Sequence, residues 1–233
     1  MLVTFSGLDG AGKSTVIGDL VAVLQEEERR CAVLHMNDDV GTYAYLRRLR
    51  DALLRRAVAG GLHRTPHKDG AQRVEVGPAR SAARRVRNAL LWSRTLRRLI
   101  YPLDVLIFLA YRLYHEGMRG RVLIMDRYFY DTLVDVSDGR PSIWVRLLER
   151  ITPVPDVAVF LDITPEESFA RKGEYTVEYL RRRGRAYAEL FSWLPSPLHL
   201  RRPGRTEARD AVWSALQHAH PMMWNGRNAW ESS

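Results

Sequence analysis

Apolar and polar positions along this chain follow two alternating periods. Short apolar runs at Leu2–Phe5, Cys31–Met36, Val122–Met125 and within residues 154 to 164 read as buried strands, and a weaker one lies near Leu198–Leu200. Between them apolar residues recur at helical spacing. This holds over residues 16 to 24, 43 to 59, 79 to 98 and 103 to 118, in two helices around residues 165 to 190, and over 207 to 218. Within 43 to 59, Tyr45, Leu46, Leu49, Leu53 and Leu54 share one face and arginines take much of the other. Pro165-Glu166-Glu167 supplies a proline and acidic first turn to open a helix. Strand alternating with helix predicts an α/β domain, a parallel sheet with helices on both faces, over residues 1 to 218. Residues 60 to 78 lose the periodicity, carry glycines and prolines, and read as a surface loop. Residues 219 to 233 show no period and stay unassigned as a tail.

The first strand runs directly into Gly7-Leu8-Asp9-Gly10-Ala11-Gly12-Lys13-Ser14-Thr15 and then into the first helix. The spacing G-x-x-x-x-G-K-S between a strand and a helix is that of a loop that cradles phosphate. Glycines let the backbone turn tightly and bring N–H groups to phosphate oxygens, and the helix adds the positive end of its dipole. The amides of Gly10, Ala11, Gly12, Lys13, Ser14 and Thr15 are therefore expected around the phosphates of a bound nucleotide. Lys13 should reach its β- and γ-phosphates, and the Ser14 hydroxyl should ligate Mg²⁺.

Charge changes the picture locally. The net charge is +9, and residues 41 to 120 hold 17 basic and 5 acidic side chains, so the rest of the chain is slightly acidic. Such a surface suits an anionic partner or is a solvated arginine face. The arginines lack interleaved aromatic residues, which argues against nucleic acid. The single cysteine, Cys31, excludes an internal disulfide and fits a cytoplasmic setting. Leu99 to Tyr114 is the most apolar window, but its 16 residues include Pro102, Asp104 and Arg112, so a buried helix is expected and no membrane span. His63 and His67 flank Pro66 and lack a third ligand, which favours a solvated loop over a metal pair.

Acidic residues end two of the strands. Asp126 closes the third and is placed to hold Mg²⁺ beside Ser14, with Arg127 projecting its planar fork into the same crevice. Asp38 and Asp39 follow the second strand, where they serve either as a helix cap or as chemistry at the crevice.

With GLDGAGKST, the Asp126-Arg127-Tyr128 after the third strand and LDITPEESFARK in view, the chain resembles the thymidylate kinases among the P-loop nucleoside monophosphate kinases. The resemblance covers most of residues 1 to 218. It implies a P-loop NTPase fold with a five-stranded parallel sheet, ATP with Mg²⁺, and transfer of the γ-phosphoryl group to a small-molecule acceptor phosphate. It also implies a short lid over residues 171 to 185. On matching positions, Asp9 helps place the acceptor, Arg127 holds the acceptor phosphate, and Arg171 lies near the adenine. Gly10 stands where some members carry arginine, which shifts that charge to the lid, with Arg182 as the candidate. Asn37-Asp38-Asp39, Asp104-Val105 and Phe129-Tyr130-Asp131-Thr132 depart from the family pattern. The expected acceptor is therefore a nucleoside monophosphate or a close analogue. The alternative is a hydroxyl acceptor, with Asp38 or Asp39 taking its proton. Both a monomer and a homodimer stay open.

Overall fold

The computed structural model describes residues 1–36, 39–42, 44–45, 94–137 and 143–221. Five strands, β1 (Leu2–Gly7), β2 (Cys31–His35), β3 (Val122–Asp126), β4 (Val157–Asp162) and β5 (Leu198–Arg201), form one sheet in the order β2-β3-β1-β4-β5. Every pairing is parallel. The seven α-helices among the described residues are α1 (Lys13–Glu26), α2 (Arg94–Arg112), α3 (Phe129–Ser137), α4 (Ile143–Ile151), α5 (Pro165–Lys172), α6 (Val177–Trp193) and α7 (Arg205–Ala219).

Helix α1 packs on β1, β3 and α7, while α3 packs on β1, α2, α4 and α6. The sheet is thereby covered on both faces, as an all-parallel sheet of apolar strands requires. Strand β1 at its centre is buried along its whole length. Neighbouring strands β1 and β3 send their chains to opposite halves of the sheet, β1 past β3 to the edge strand β2 and β3 past β1 to β4. That reversal opens a crevice at their carboxyl ends, where ligands of open α/β sheets bind.

Helix α1 buries Lys13, Val16, Ile17, Leu20 and Leu24, the face its spacing predicts. Helix α5 starts on the expected proline, and Thr164 with Glu167 closes a capping box.

Four features differ from the sequence reading. β2 is an edge strand of intermediate burial rather than a buried one, because only β3 pairs with it. The separate helices expected at 79 to 98 and 103 to 118 meet in α2, which runs unbroken through Pro102 and widens into a π-helical turn over Leu113–Met118. That helix is half-buried: Tyr101, Asp104, Val105 and Phe108 face inward, while Leu99, Leu103 and Leu106 are exposed. Helices α3 and α4 were not foreseen. The aromatic and β-branched residues of Phe129–Ser137 mask its helical period. The helix expected at 43 to 59, the loop at 60 to 78, the helix at 79 to 98 up to residue 93, and the tail beyond residue 221 lie outside the described residues.

Candidate active site

The glycine loop turns as its sequence demands. Gly10 and Gly12 hold φ values of 82° and 87°, the left-handed region that glycine enters without strain. The Ala11 amide closes on the Leu8 carbonyl at 3.2 Å, and the amides of Thr15 and Val16 begin the helix on the Gly12 carbonyl. The amides of Lys13 and Ser14 at the start of α1 have no acceptor within their own helix and sit at its positive end. Ser14 and Thr15 are exposed there.

Lys13 is only 7% exposed. Its Nζ donates to the carbonyls of Gly7 at 2.9 Å and Leu8 at 3.0 Å, which folds the side chain along the loop. Burial lowers its pKa and the nearby Arg127 adds to this, while the carboxylates of Asp131, Asp9 and Asp126 oppose it. One cluster of two cations and three anions therefore fills the crevice.

Arg127 follows β3 with φ of 63°, a left-handed conformation rare for a non-glycine residue. Two hydrogen bonds hold it there: its own N–H donates to the Phe5 carbonyl of β1 at 3.1 Å, and the next amide, Tyr128, donates to Asp131 Oδ2 at 2.9 Å. The turned backbone sends the guanidinium back over the loop, where Nη2 donates to Asp9 Oδ1. Burial works against its charge, but Asp131 and Asp9 outweigh it and hold the guanidinium above its ordinary pKa.

Asp126 closes β3 beside them. Its Oδ1 is buried and has no hydrogen-bond partner among the described residues, and its Oδ2 lies 4.0 Å from His35 Nε2. A buried carboxylate oxygen without a donor fits a cation. Among the described residues no three His, Cys, Asp or Glu side chains are arranged so that they could hold a metal ion together. Asp126 and Ser14 are the oxygen donors here that could hold Mg²⁺, an ion that takes few protein ligands when phosphates and water complete its shell.

Helix α5 braces the loop. Ser168 Oγ donates to the Asp9 carbonyl at 2.7 Å, and Arg171 Nη1 donates to the Gly10 carbonyl at 2.9 Å. Arg171 thus rests on the phosphate loop. The arginines of α6 diverge: Arg181 is held by Glu166 at 2.7 Å, and Arg183 is drawn inward onto Asp135, Tyr179 and Tyr187. Arg182 and Arg185 stand exposed.

Beyond β2, Asp39 Oδ2 accepts the His35 amide at 2.9 Å and closes the turn. Asp38 lies outside the described residues. Asp104 of α2 is buried and accepts both the amide and the hydroxyl of Thr42, at 2.5 and 2.7 Å. Asp104, the acidic member of the Asp104-Val105 pair, thus anchors the Gly41-Thr42 turn, while Val105, where the family pattern has an arginine, is buried.

The structure brings Asp9, Lys13, Asp126 and Arg127 together, with Ser14 at the helix start beside them. The sequence reading missed Asp131, a buried carboxylate in the first turn of α3. Its position four residues after Arg127 was visible, but without α3 nothing turned it toward the crevice.

The sheet order and the loop-to-helix entry define a P-loop NTPase fold of the α/β class. No family model matches the chain. Over 186 residues it is 30% identical to the thymidylate kinase of Chlorobium luteolum, an alignment covering 74% of this chain and 66% of that protein. The thymidylate kinase of Pelodictyon phaeoclathratiforme gives 30% over 186 residues, 74% of this chain and 65% of that protein. A probable thymidylate kinase of Sulfolobus acidocaldarius is 37% identical over 71 residues, 28% of this chain and 37% of its own. The chain thus spans just under two thirds of the length of the first two relatives. Over this span the chain is similar to thymidylate kinases, and its fold is that of a P-loop NTPase. No helix among the described residues is long and apolar enough to cross a membrane.

Proposed function

We propose that this chain is an ATP-dependent phosphotransferase that moves the γ-phosphoryl group to a nucleoside monophosphate or a close analogue. One observation carries the reading: Lys13 of the phosphate loop and Arg127 beyond β3 face one crevice, with Arg127 bonded to Asp9 and both cations under the influence of the Asp9 and Asp131 carboxylates. The loop amides and Lys13 hold the donor phosphates. Arg127 leaves Asp9 for the acceptor phosphate, whose oxygen attacks the γ-phosphorus as the β–γ bridging oxygen departs with ADP. Catalysis of this kind is positioning and charge neutralisation. Asp126 and Ser14 would hold Mg²⁺, which would supply charge neutralisation to the donor phosphates. Arg182, exposed on α6, is the candidate for the cation that closes over the transferring group.

The relatives' names make thymidine monophosphate the first acceptor to test. Phe129 and Tyr130 pack into the core, so the base must be met by other residues. The hydroxyl-acceptor alternative needs Asp38 or Asp39 as a base, and Asp39 already spends one oxygen on His35. An ADP-release assay over monophosphates, nucleosides and sugars, with Arg127→Ala, Asp38→Asn and Asp39→Asn, separates the two. Arg127→Ala should abolish transfer while both Asp variants stay active. A loss of about a hundredfold or more in either Asp variant would move the assignment to the hydroxyl.

A further inference from the structure

Asp131 receives three donors from three separate parts of the chain. Ser6 of β1 donates to Oδ2 at 2.7 Å, the Tyr128 amide donates to the same oxygen at 2.9 Å, and the Tyr187 hydroxyl of α6 donates to Oδ1 at 2.6 Å. Ser6 directly precedes the first glycine of the phosphate loop, and Tyr128 directly follows Arg127. One buried carboxylate therefore pins the two backbone turns from which the loop and the arginine spring. The third donor reaches further. Tyr187 is fully buried, and its hydroxyl accepts from Arg183 Nη2 at 3.3 Å, whose other nitrogen pairs with Asp135 of α3. The Arg183 guanidinium also lies 5.6 Å over the Tyr187 ring.

We propose that Asp131 is a positioning residue that fixes the phosphate loop and Arg127 in register, and that Tyr187 with Arg183 ties α6 to that register. The proposal rests on the phosphotransferase reading above. Asp131 also contributes the foremost carboxylate attraction on both Lys13 and Arg127, so it balances the two cations without touching substrate. All three of its partners are donors. An amide at this position would turn an N–H₂ toward one of them and leave it unsatisfied.

The test measures MgADP binding by calorimetry and then steady-state kinetics with whichever acceptor the unmodified protein phosphorylates, for Asp131→Asn, Tyr187→Phe and the double variant. Tyr187→Phe removes only a hydroxyl and keeps the ring in the core, so it remains informative if Asp131→Asn folds poorly. In Tyr187→Phe the acceptor KM should rise about fivefold or more with the MgATP KM within about twofold, and the double variant should lose little beyond Asp131→Asn. A purely structural role would lower the melting temperature and leave both KM values and kcat in place. Kinetics of folded Tyr187→Phe within about twofold of the unmodified protein, or losses that multiply in the double variant, would overturn the proposal and leave the phosphotransferase reading intact. An unmodified protein that binds no MgADP, or that binds it and phosphorylates no acceptor, removes the reading itself and the proposal with it.

Discussion

Arg127 donates to Asp9 across the mouth of the crevice between β1 and β3, so the two side chains proposed to place the acceptor hold one another. The pair keeps a partly buried guanidinium satisfied and aimed at the loop, and an incoming phosphate takes over from one carboxylate oxygen. Arg127→Ala should therefore lower kcat/KM for the acceptor by about a hundredfold or more, with MgADP affinity changed by less than about threefold. Calorimetry and steady-state rates on one preparation check both halves. Equal losses in the two would place Arg127 on the donor nucleotide instead.

Lys13 gives a pH dependence. Burial holds its ammonium below the ordinary 10.5 of a lysine. Between its folded value and 10.5 the unfolded chain binds more protons than the folded one, so folding stability rises with pH through that interval. Phosphate binding needs the charged form, so MgADP affinity should fall over the same interval. Titration calorimetry should find the decline beginning before pH 10.5, and Lys13→Arg, which stays charged, should remove it. An affinity that holds level up to the value of a free lysine would contradict the account.

Much of this architecture is legible without coordinates. The phosphate loop, its flanking strand and helix, Asp126 and the opening of α5 all rest on local signals: glycine spacing, a strand-end acid, and a proline with an acidic first turn. What stayed hidden depends on tertiary placement. β2 reads as apolar whether it is central or at an edge, and only the pairing shows which. The inward turn of Arg183 and the convergence on Asp131 require α3 and α6 side by side, and the residues of α3 have strand-like propensities.

The glycines of the loop should not be equivalent. Gly7 has φ of 144°, and a Cβ there would run into the Leu161 carbonyl oxygen of β4, a backbone atom that the sheet holds in place. Gly12 has φ of 87° with nothing near an added Cβ. Gly12→Ala should cost about 1–2 kcal/mol of backbone strain. Gly7→Ala should cost about 3 kcal/mol or more, because a strand must shift as well. Urea unfolding of the two variants measures the difference, and equal losses would contradict the assignment of Gly7 to a close strand approach.

Asp104 tests the anchor beyond β2. Burial raises the pKa of its carboxyl, against the two hydrogen bonds from Thr42 that lower it. Its folded value therefore lies above its unfolded one, and the stability it contributes declines as pH rises between them. Asp104→Asn keeps an oxygen for both Thr42 donors and sheds the charge, so stability at neutral pH should change by less than about 1 kcal/mol, while Asp104→Ala should cost about 2–3 kcal/mol. Melting curves at acidic and neutral pH check this, and a larger loss in the Asn variant than in Ala would count against it.

The most direct measurement of the central claim is phosphorus NMR of a reaction with MgATP and a nucleoside monophosphate, thymidine monophosphate first and other monophosphates after it. The account predicts ADP together with a new diphosphate resonance from the acceptor, absent when Arg127 is replaced by alanine. ATP left unchanged across the monophosphates, or a new phosphomonoester formed on a nucleoside or sugar hydroxyl, would contradict it.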